Sequence, residues 1–389
     1  MPRTDSTRAI PTDLDLLIVH QFDAAQSSPG GIDTCIRGIA RYATDLTIGI
    51  VGVDATNDPT RTLGVWEKHN YGGRSFWFMP VVRLDPSQQI RRIPHSARLV
   101  AGLARYKNRL PRSRMHQSHR MDVGVATHTL LRGNSSYFIH TQDRGLTGAT
   151  SDSFWRYAGA THRALERWIV RRSSRVTVFN PAYVDVVKSW NPRARFSPTW
   201  FDPAVLAATG TTRTAGRAVW VGRLEVPKDP VLAVNSFAAM AGIGVSDTEL
   251  VMIGDGSLRK QIEQHIQRLP SAVAARMSLR GRLSPSEVAD EVSRADVFLM
   301  TSRAGYEGYP RVLVEAMAAG TIPIVTEGSD PGKLVREGIT GFITSREPSE
   351  IANQLARAAS TIDRSAVTAA VANLSAPVVI AAIYATEPT

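Results

Sequence analysis

Short unbroken apolar runs alternate along the chain with stretches whose apolar residues recur every three or four positions. Leu14-Asp15-Leu16-Leu17-Ile18-Val19-His20 predicts a strand, Ser27-Ser28-Pro29-Gly30-Gly31 a glycine-bearing loop, and Ile32, Ile36, Ile39 and Ala40 a helix. Thr47–Val53 predicts the next strand, and this strand, loop, helix, strand order is a parallel α/β unit. A strand over Tyr137–His140, a helix over Ala158–Arg172 and a strand over Val176–Phe179 follow, and the proline-bearing stretch Asn191–Pro203 reads as a domain linker. The rhythm is clearer beyond it. Ala218–Val221, Leu250–Ile253, Val297–Met300 and Ile322–Val325 are strands, separated by helices. Asp229-Pro230 opens one of these helices, the capping box Ser284-Pro285-Ser286-Glu287 another, and Pro310–Ala319 is a third, closed by Gly320. Four such alternations predict a second parallel sheet covered on both faces. No internal repeat of short period is present.

The 389 residues exceed one ordinary domain. The expected division is 1–200, 201–375 and a tail over 376–389 that packs back on the first domain. With 43% hydrophobic and 21% charged residues, the composition excludes a disordered chain, a collagen and a disulfide scaffold. The lone Cys35 cannot form an internal disulfide, predicts a reducing compartment, and reads as a packed helix position. Met1–Pro11 lacks the apolar core of a signal peptide, and no run of about 18 apolar residues occurs. The expected location is cytoplasmic, or peripheral on the inner face of a membrane.

The net charge of +11 is uneven. Residues 1–200 carry 28 Lys and Arg against 15 Asp and Glu, a net +13, whereas 201–389 carry 18 against 20, a net −2. Residues 91–120 hold nine cations (Arg91, Arg92, Arg98, Arg105, Lys107, Arg109, Arg112, Arg114 and Arg120) and no acid, interspersed with Leu99, Val100, Leu103 and Tyr106. We expect a basic insertion, in part an amphipathic helix suited to an anionic membrane surface; a solvated insertion is the alternative.

Ligands of open parallel sheets bind beyond the carboxyl ends of the strands, and the chain's special residues follow its strands. Arg223 and Lys228 lie in one such loop and suit a diphosphate, although two surface cations would look the same. Gly254-Asp255-Gly256 follows the next strand. Glu307-Gly308-Tyr309-Pro310-Arg311-Val312-Leu313-Val314-Glu315 is the most informative segment. Its helix N-terminus offers amides to a phosphate, and its two carboxylates can accept hydrogen bonds from sugar hydroxyls. Glu315 stands among apolar neighbours, so it is expected to be partly buried and to need partners.

These pieces, with Ala316-Met317-Ala318-Ala319-Gly320 and Gly332 to Phe342, resemble in type and order the retaining GT-B glycosyltransferases of family 4. The resemblance is good over 218–345, looser over 14–45 and 137–206, and absent over 60–130. It implies a GT-B fold, two Rossmann-like parallel-sheet domains facing across a cleft, with acceptor binding in the first and nucleotide-sugar binding in the second. It implies that Arg223 and Lys228 bind the donor diphosphate, Glu307 lies near the donor hexose, Glu315 holds the ribose, and Gly30 and Gly31 reach the phosphates from the first domain. His140 matches the active-site histidine in a less typical context, His140-Thr141-Gln142-Asp143, with Asp143 as an alternative polar group. Gly254, Gly308, Tyr309 and Arg311 complete the implied donor site. Pro310 stands where many members have Gly and removes one amide donor. Arg311, also unusual, either adds a phosphate contact or is exposed.

The function expected on this resemblance is metal-independent, cofactor-free hexosyl transfer from a UDP-sugar or GDP-mannose to a lipid-linked or polysaccharide acceptor in cell-envelope synthesis. A nucleotide-sugar epimerase or phosphorylase of the same fold is an alternative, but a phosphorylase's pyridoxal-binding lysine cannot be placed. A nucleic-acid binder lacks aromatic-interleaved or zinc-spaced motifs, so no nucleic-acid partner is expected. A nicotinamide site fails because position 259 is Arg where the fingerprint needs Gly. Asp13-Leu14-Asp15 precedes a strand and reads as its flank, not as a metal-binding Asp-x-Asp.

Overall fold

A computed structural model of the chain describes residues 10–26, 30–56, 58–84, 94–140, 158–210, 212–244 and 247–385. The first sheet holds β1 (Asp13–Val19), β2 (Ile48–Asp54), β3 (Glu67–Tyr71), β4 (Arg74–Arg83), β5 (Arg112–Ser118), β6 (Asn134–Ile139), β7 (Arg175–Val178) and β8 (Ala194–Phe196). Their spatial order is β3-β4-β2-β1-β5-β6-β7-β8. All neighbours run parallel except β3 and β4, an antiparallel hairpin turned by Gly72 and Gly73. Both glycines have positive φ (60° and 83°), which a two-residue hairpin turn requires. The second sheet holds β9 (Arg217–Val221), β10 (Glu249–Ile253), β11 (Met277–Leu279), β12 (Val297–Met300), β13 (Ile322–Thr326) and β14 (Phe342–Thr344), all parallel, in the order β11-β10-β9-β12-β13-β14.

Both sheets are doubly wound, so each has a point where the strand order reverses. It lies between β1 and β5 in the first sheet and between β9 and β12 in the second. Crevices open beyond the strand ends there, and ligands of such folds occupy them. The two sheets share one apolar core cluster in which Trp200 of the connection is fully buried. Asp202 caps the helix Pro203–Ala207 and also binds back to the first domain, accepting from Tyr42 Oη at 2.5 Å and from Arg41 at 3.2 Å.

Three expectations need correction. The acid-free stretch is no insertion. Among its described residues, the helix His95–Tyr106 buries Leu99 and Leu103, and β5 lies at the centre of the sheet, next to β1. The apolar face of that helix is spent in the core and is not available to a bilayer; Arg91 and Arg92 lie outside the described residues. The linker contains β8, the sheet's edge strand, because Val176–Val178 pair with Ala194–Phe196. The helix beside Glu307 starts at Arg311, with Pro310 one position earlier, at its cap.

Of the tail, the helix Ala376–Tyr384 lies against the helix Gly31–Tyr42 of the first domain. Arg175 Nη1 donates to the carbonyl of Ile383 at 2.9 Å, and Ser375 bridges to Phe201. No described helix is long and apolar enough to cross a membrane.

Candidate functional site

The loops after β9 and β12 meet at the second domain's reversal point. Lys228 Nζ donates to Glu307 Oε1 at 2.5 Å, and Ser302 Oγ donates to the same oxygen at 2.6 Å. Glu307 is only 9% exposed, and its Oε2 has no hydrogen bond among the described residues. Arg223 Nη2 donates to Tyr306 Oη at 2.7 Å. The backbone that carries Lys228 is fixed from below. Thr301 Oγ1 lies 2.9 Å from the Lys228 carbonyl and 2.8 Å from that of Asp229. Asp229 sits at φ 45°, caps the helix Pro230–Ala239 through Leu232 N, and pairs with Arg346 at 2.5 Å. Two cations, a carboxylate and two hydroxyls therefore converge in one crevice.

Gly254 has a packing role. At φ 134°, a Cβ there would sit 1.9 Å from the Gly222 carbonyl oxygen, so only glycine lets the β10 loop close against the β9 loop that carries Arg223.

The helix Arg311–Ala318 carries Glu315, whose side chain has no hydrogen bond among the described residues. Burial pushes its carboxyl up to about 7, against the lowering influence of Arg311 and with Asp202 adding to the rise. A half-buried carboxyl of this kind is ready to accept donors. Arg311 is not exposed. It donates to the Trp200 carbonyl at 3.0 Å and lies over the Trp200 ring at 4.9 Å, while its Nε is buried without a partner. Tyr309 packs its ring beside Gly332 and 5.7 Å from that of Phe196, so it belongs to the seam between domains.

From the first domain, His140 follows β6 and stacks on Phe179 at 4.7 Å. A Cβ on Gly308 would stand 3.0 Å from the His140 carbonyl oxygen, so the two predicted site segments touch across the cleft. His140 Nε2 lies 2.8 Å from His119 Nδ1, and His119 Nε2 lies 2.9 Å from Gln117 Nε2. Burial holds His140 down at about 3, with His20 and Arg311 adding to the effect, so the ring is neutral. Gly30 and Gly31 open the helix Gly31–Tyr42 with free space around their Cα atoms, and no described contact joins them to Arg223 or Lys228. Asp143, Thr141 and Gln142 lie outside the described residues.

Cys35 is fully buried on that helix, as a packed position should be. Its Sγ and nitrogens of His119 and His140 lie within 4.8 Å of one another. Burial pushes the thiol up to about 12, and the two rings are bonded to each other, so the trio is better suited to a proton network than to a metal. Sequence reasoning missed Ser302, Tyr306, Gln117 and His119. The first two stand in the loop after β12, just before the Glu307 segment; Gln117 on β5 and His119 just past it lie in a polar stretch that carries no such marker.

Two doubly wound domains, with phosphate-sized chemistry at the reversal point of the second, define the GT-B class. Residues 215–361 match the family described as Glycosyl transferases group 1. The chain is 28% identical over 180 residues to the GDP-mannose-dependent alpha-(1-6)-phosphatidylinositol dimannoside mannosyltransferase of Mycobacterium tuberculosis, a match covering 46% of this chain and 42% of that protein. It is 32% identical over 96 residues to the Vi polysaccharide biosynthesis protein VipC/TviE of Salmonella typhi, covering 25% and 16% respectively. The chain thus spans less than half the length of these curated relatives. Anabaena Alr3699/HepE, solved with UDP and glucose, superposes with a TM-score of 0.64 at 16% identity, covering 95% of this chain and 97% of that one.

Proposed function

We propose that the chain is a retaining glycosyltransferase that moves a hexosyl unit from a UDP-sugar or GDP-mannose to a lipid-linked or polysaccharide acceptor of the cell envelope. The observation that carries this reading is the Lys228–Glu307–Ser302 cluster beside Arg223, facing His140 across the cleft. Arg223 and Lys228 stabilise the departing diphosphate, a contribution of about 3–4 kcal/mol for each well-aimed donor. Glu307 binds hexose hydroxyls through its free oxygen, and Glu315 binds the ribose diol. His140 faces the transferred sugar. Gly30 and Gly31 leave room for the donor phosphates at a helix N-terminus. With two cations on the leaving group, no metal is needed.

The relatives' names favour a nucleotide-sugar donor and divide over the base, since one is called GDP-mannose-dependent and one neighbour was solved with UDP. The protein works at the cytoplasmic side of the membrane, with the exposed cations Arg105, Lys107, Arg112 and Arg114 toward anionic lipid.

The test is a panel of UDP- and GDP-sugars, read by thermal shift and donor turnover in excess EDTA. Stabilisation by UDP or GDP that is lost in Arg223→Ala and Glu315→Ala supports the reading; no nucleotide response across the panel overturns it. Transfer to a lipid-linked acceptor, with the anomeric configuration read by NMR, separates a transferase from an epimerase of the same fold. Flotation with anionic vesicles tests the surface, and binding unchanged by Arg→Glu replacements there rejects it.

A further inference from the structure

Three residues, Gln117 and His119 at the end of β5 and Tyr384 near the end of the described chain, form a continuous hydrogen-bond chain ending on His140. Tyr384, on the helix Ala376–Tyr384, donates its hydroxyl proton to Gln117 Oε1 at 2.6 Å. Gln117, on β5, is fully buried. With its oxygen turned to Tyr384, its Nε2 faces His119 Nε2 at 2.9 Å. An amide nitrogen only donates, so His119 Nε2 must be the unprotonated ring nitrogen. The neutral His119 ring then carries its proton on Nδ1, which lies 2.8 Å from His140 Nε2 and donates to it. His140 Nε2 is therefore an acceptor, and the proton of the neutral His140 ring stands on Nδ1.

The reverse polarity requires Gln117 to turn its nitrogen to Tyr384. The buried end of the chain then changes sign throughout, and the tyrosine proton loses its acceptor, for which no substitute exists among the described residues. The phenol, which supplies one proton in one direction, decides the orientation of the amide and, through it, both imidazoles.

We propose that Tyr384, Gln117 and His119 are positioning residues that lock His140 in its Nδ1–H tautomer, so that a ligand oxygen meets an N–H donor rather than a lone pair. The inference rests on the reading above that His140 faces the transferred sugar. It adds that the ligand atom met by this ring is an acceptor, such as a hydroxyl or ring oxygen of the hexose. It also makes a residue from beyond the donor domain part of the active-site apparatus. His20 and Cys35 lie beside the chain, with the His20 ring 5.8 Å from that of His119. Neither breaks it.

Two-bond 1H–15N spectra of the full chain at pH 7 test this, with His140 assigned by the signals lost in His140→Ala. The expected wild-type pattern is a protonated Nδ1 and an unprotonated Nε2. Tyr384→Phe keeps the ring and frees the amide; the Nε2–H form should then appear, with kcat down roughly tenfold and KM within about twofold. Gln117→Leu should give the same mixture by cutting the chain one link later. An Nε2–H pattern in the wild type overturns the proposal, and so does a Tyr384→Phe protein whose His140 tautomer and kcat are unchanged. If His140→Ala transfers sugar at the wild-type rate, the role proposed for His140 falls, while the spectra still decide the tautomer.

Discussion

Lys228 and Glu307 form an ion pair of 2.5 Å whose side chains are 16% and 10% exposed, at the spot where the donor diphosphate is proposed to bind. The lysine thus has a partner before any ligand arrives, and the pair supports the loop as well as the chemistry. Breaking a buried pair by removing one member costs about 3–5 kcal/mol, because the other charge is stranded. Lys228→Met should lower the melting temperature by several degrees. Lys228→Met combined with Glu307→Gln should recover most of that stability but not UDP or GDP binding. Thermal melts with and without nucleotide check both halves. A single variant as stable as the wild type would show that the pair is not holding the loop.

Glu315 gives the donor site a pH dependence of known sign. Its carboxyl is raised to about 7 by burial, so part of it is protonated in the free protein at neutral pH. Ribose hydroxyls donate to the charged form and pull the value down. Donor binding should therefore release protons below pH 7, and affinity should rise with pH until about 7 and then level off. Calorimetry at pH 6.5 in buffers of different ionisation enthalpy measures the release, which Glu315→Gln should abolish. In the free protein the raised value contributes stability at acid pH that is lost as pH rises through 7, so Glu315→Gln should stabilise the unliganded protein at pH 8.

Gly308 sets how closely the domains approach. With the His140 carbonyl 3.0 Å from an added Cβ, alanine needs a shift of a few tenths of an ångström and valine a larger one. Gly308→Ala should cost less than about 1 kcal/mol in stability. Its kcat/KM should nevertheless fall at least tenfold, since small misplacements of reacting groups are costly. Gly308→Val should widen the cleft measurably in solution scattering. Wild-type activity in the valine variant would argue against catalysis in this domain arrangement.

Acid should unfold the first domain through its histidines. Burial holds His20 and His140 at about 3 and His116 at about 4, and His119 is also well below its ordinary value. The unfolded chain protonates these rings near pH 6.5 and the folded one does not. Their stabilising contribution is whole above pH 6.5 and is lost as pH falls toward 3, at about 1.4 kcal/mol per pH unit for each ring in that window. Urea unfolding at pH 7, 6, 5 and 4 measures the slope, and His116→Gln should flatten it by one ring's share.

The second domain could be read from its sequence because its strands are buried on both faces and therefore apolar throughout, as Val297–Met300 is. The loops that bear chemistry then fall at their ends. β5 was hidden for the opposite reason. Its residues Arg112-Ser113-Arg114-Met115-His116-Gln117-Ser118 include three buried polar side chains at the cleft end, among them Gln117 of the hydrogen-bond chain, and exposed arginines at the other. A central strand with such a composition looks like a solvated basic segment. The hairpin β3–β4 was legible in principle from Gly72-Gly73, but its sequence has no counterpart in the family pattern used to order the other pieces. Arg223, Lys228, Glu307 and Glu315 were found because the reversal point of a parallel sheet concentrates function in few loops. The partners of His140 were not, because Gln117 and His119 reach it from the end of β5 and Tyr384 reaches Gln117 from 267 residues further on, by contacts distant in sequence.

The helix Ala376–Tyr384 covers part of the first domain, yet a ribosome makes it only after the whole of the second. Until then Cys35, Gln117 and the helix Gly31–Tyr42 wait under an incomplete cover. A fragment cut at the connection near residue 200 would lack this helix permanently. Supplying residues 370–385 as a separate peptide should raise that fragment's thermal stability, and a free peptide long enough to bind there would compete with the chain's own segment during synthesis.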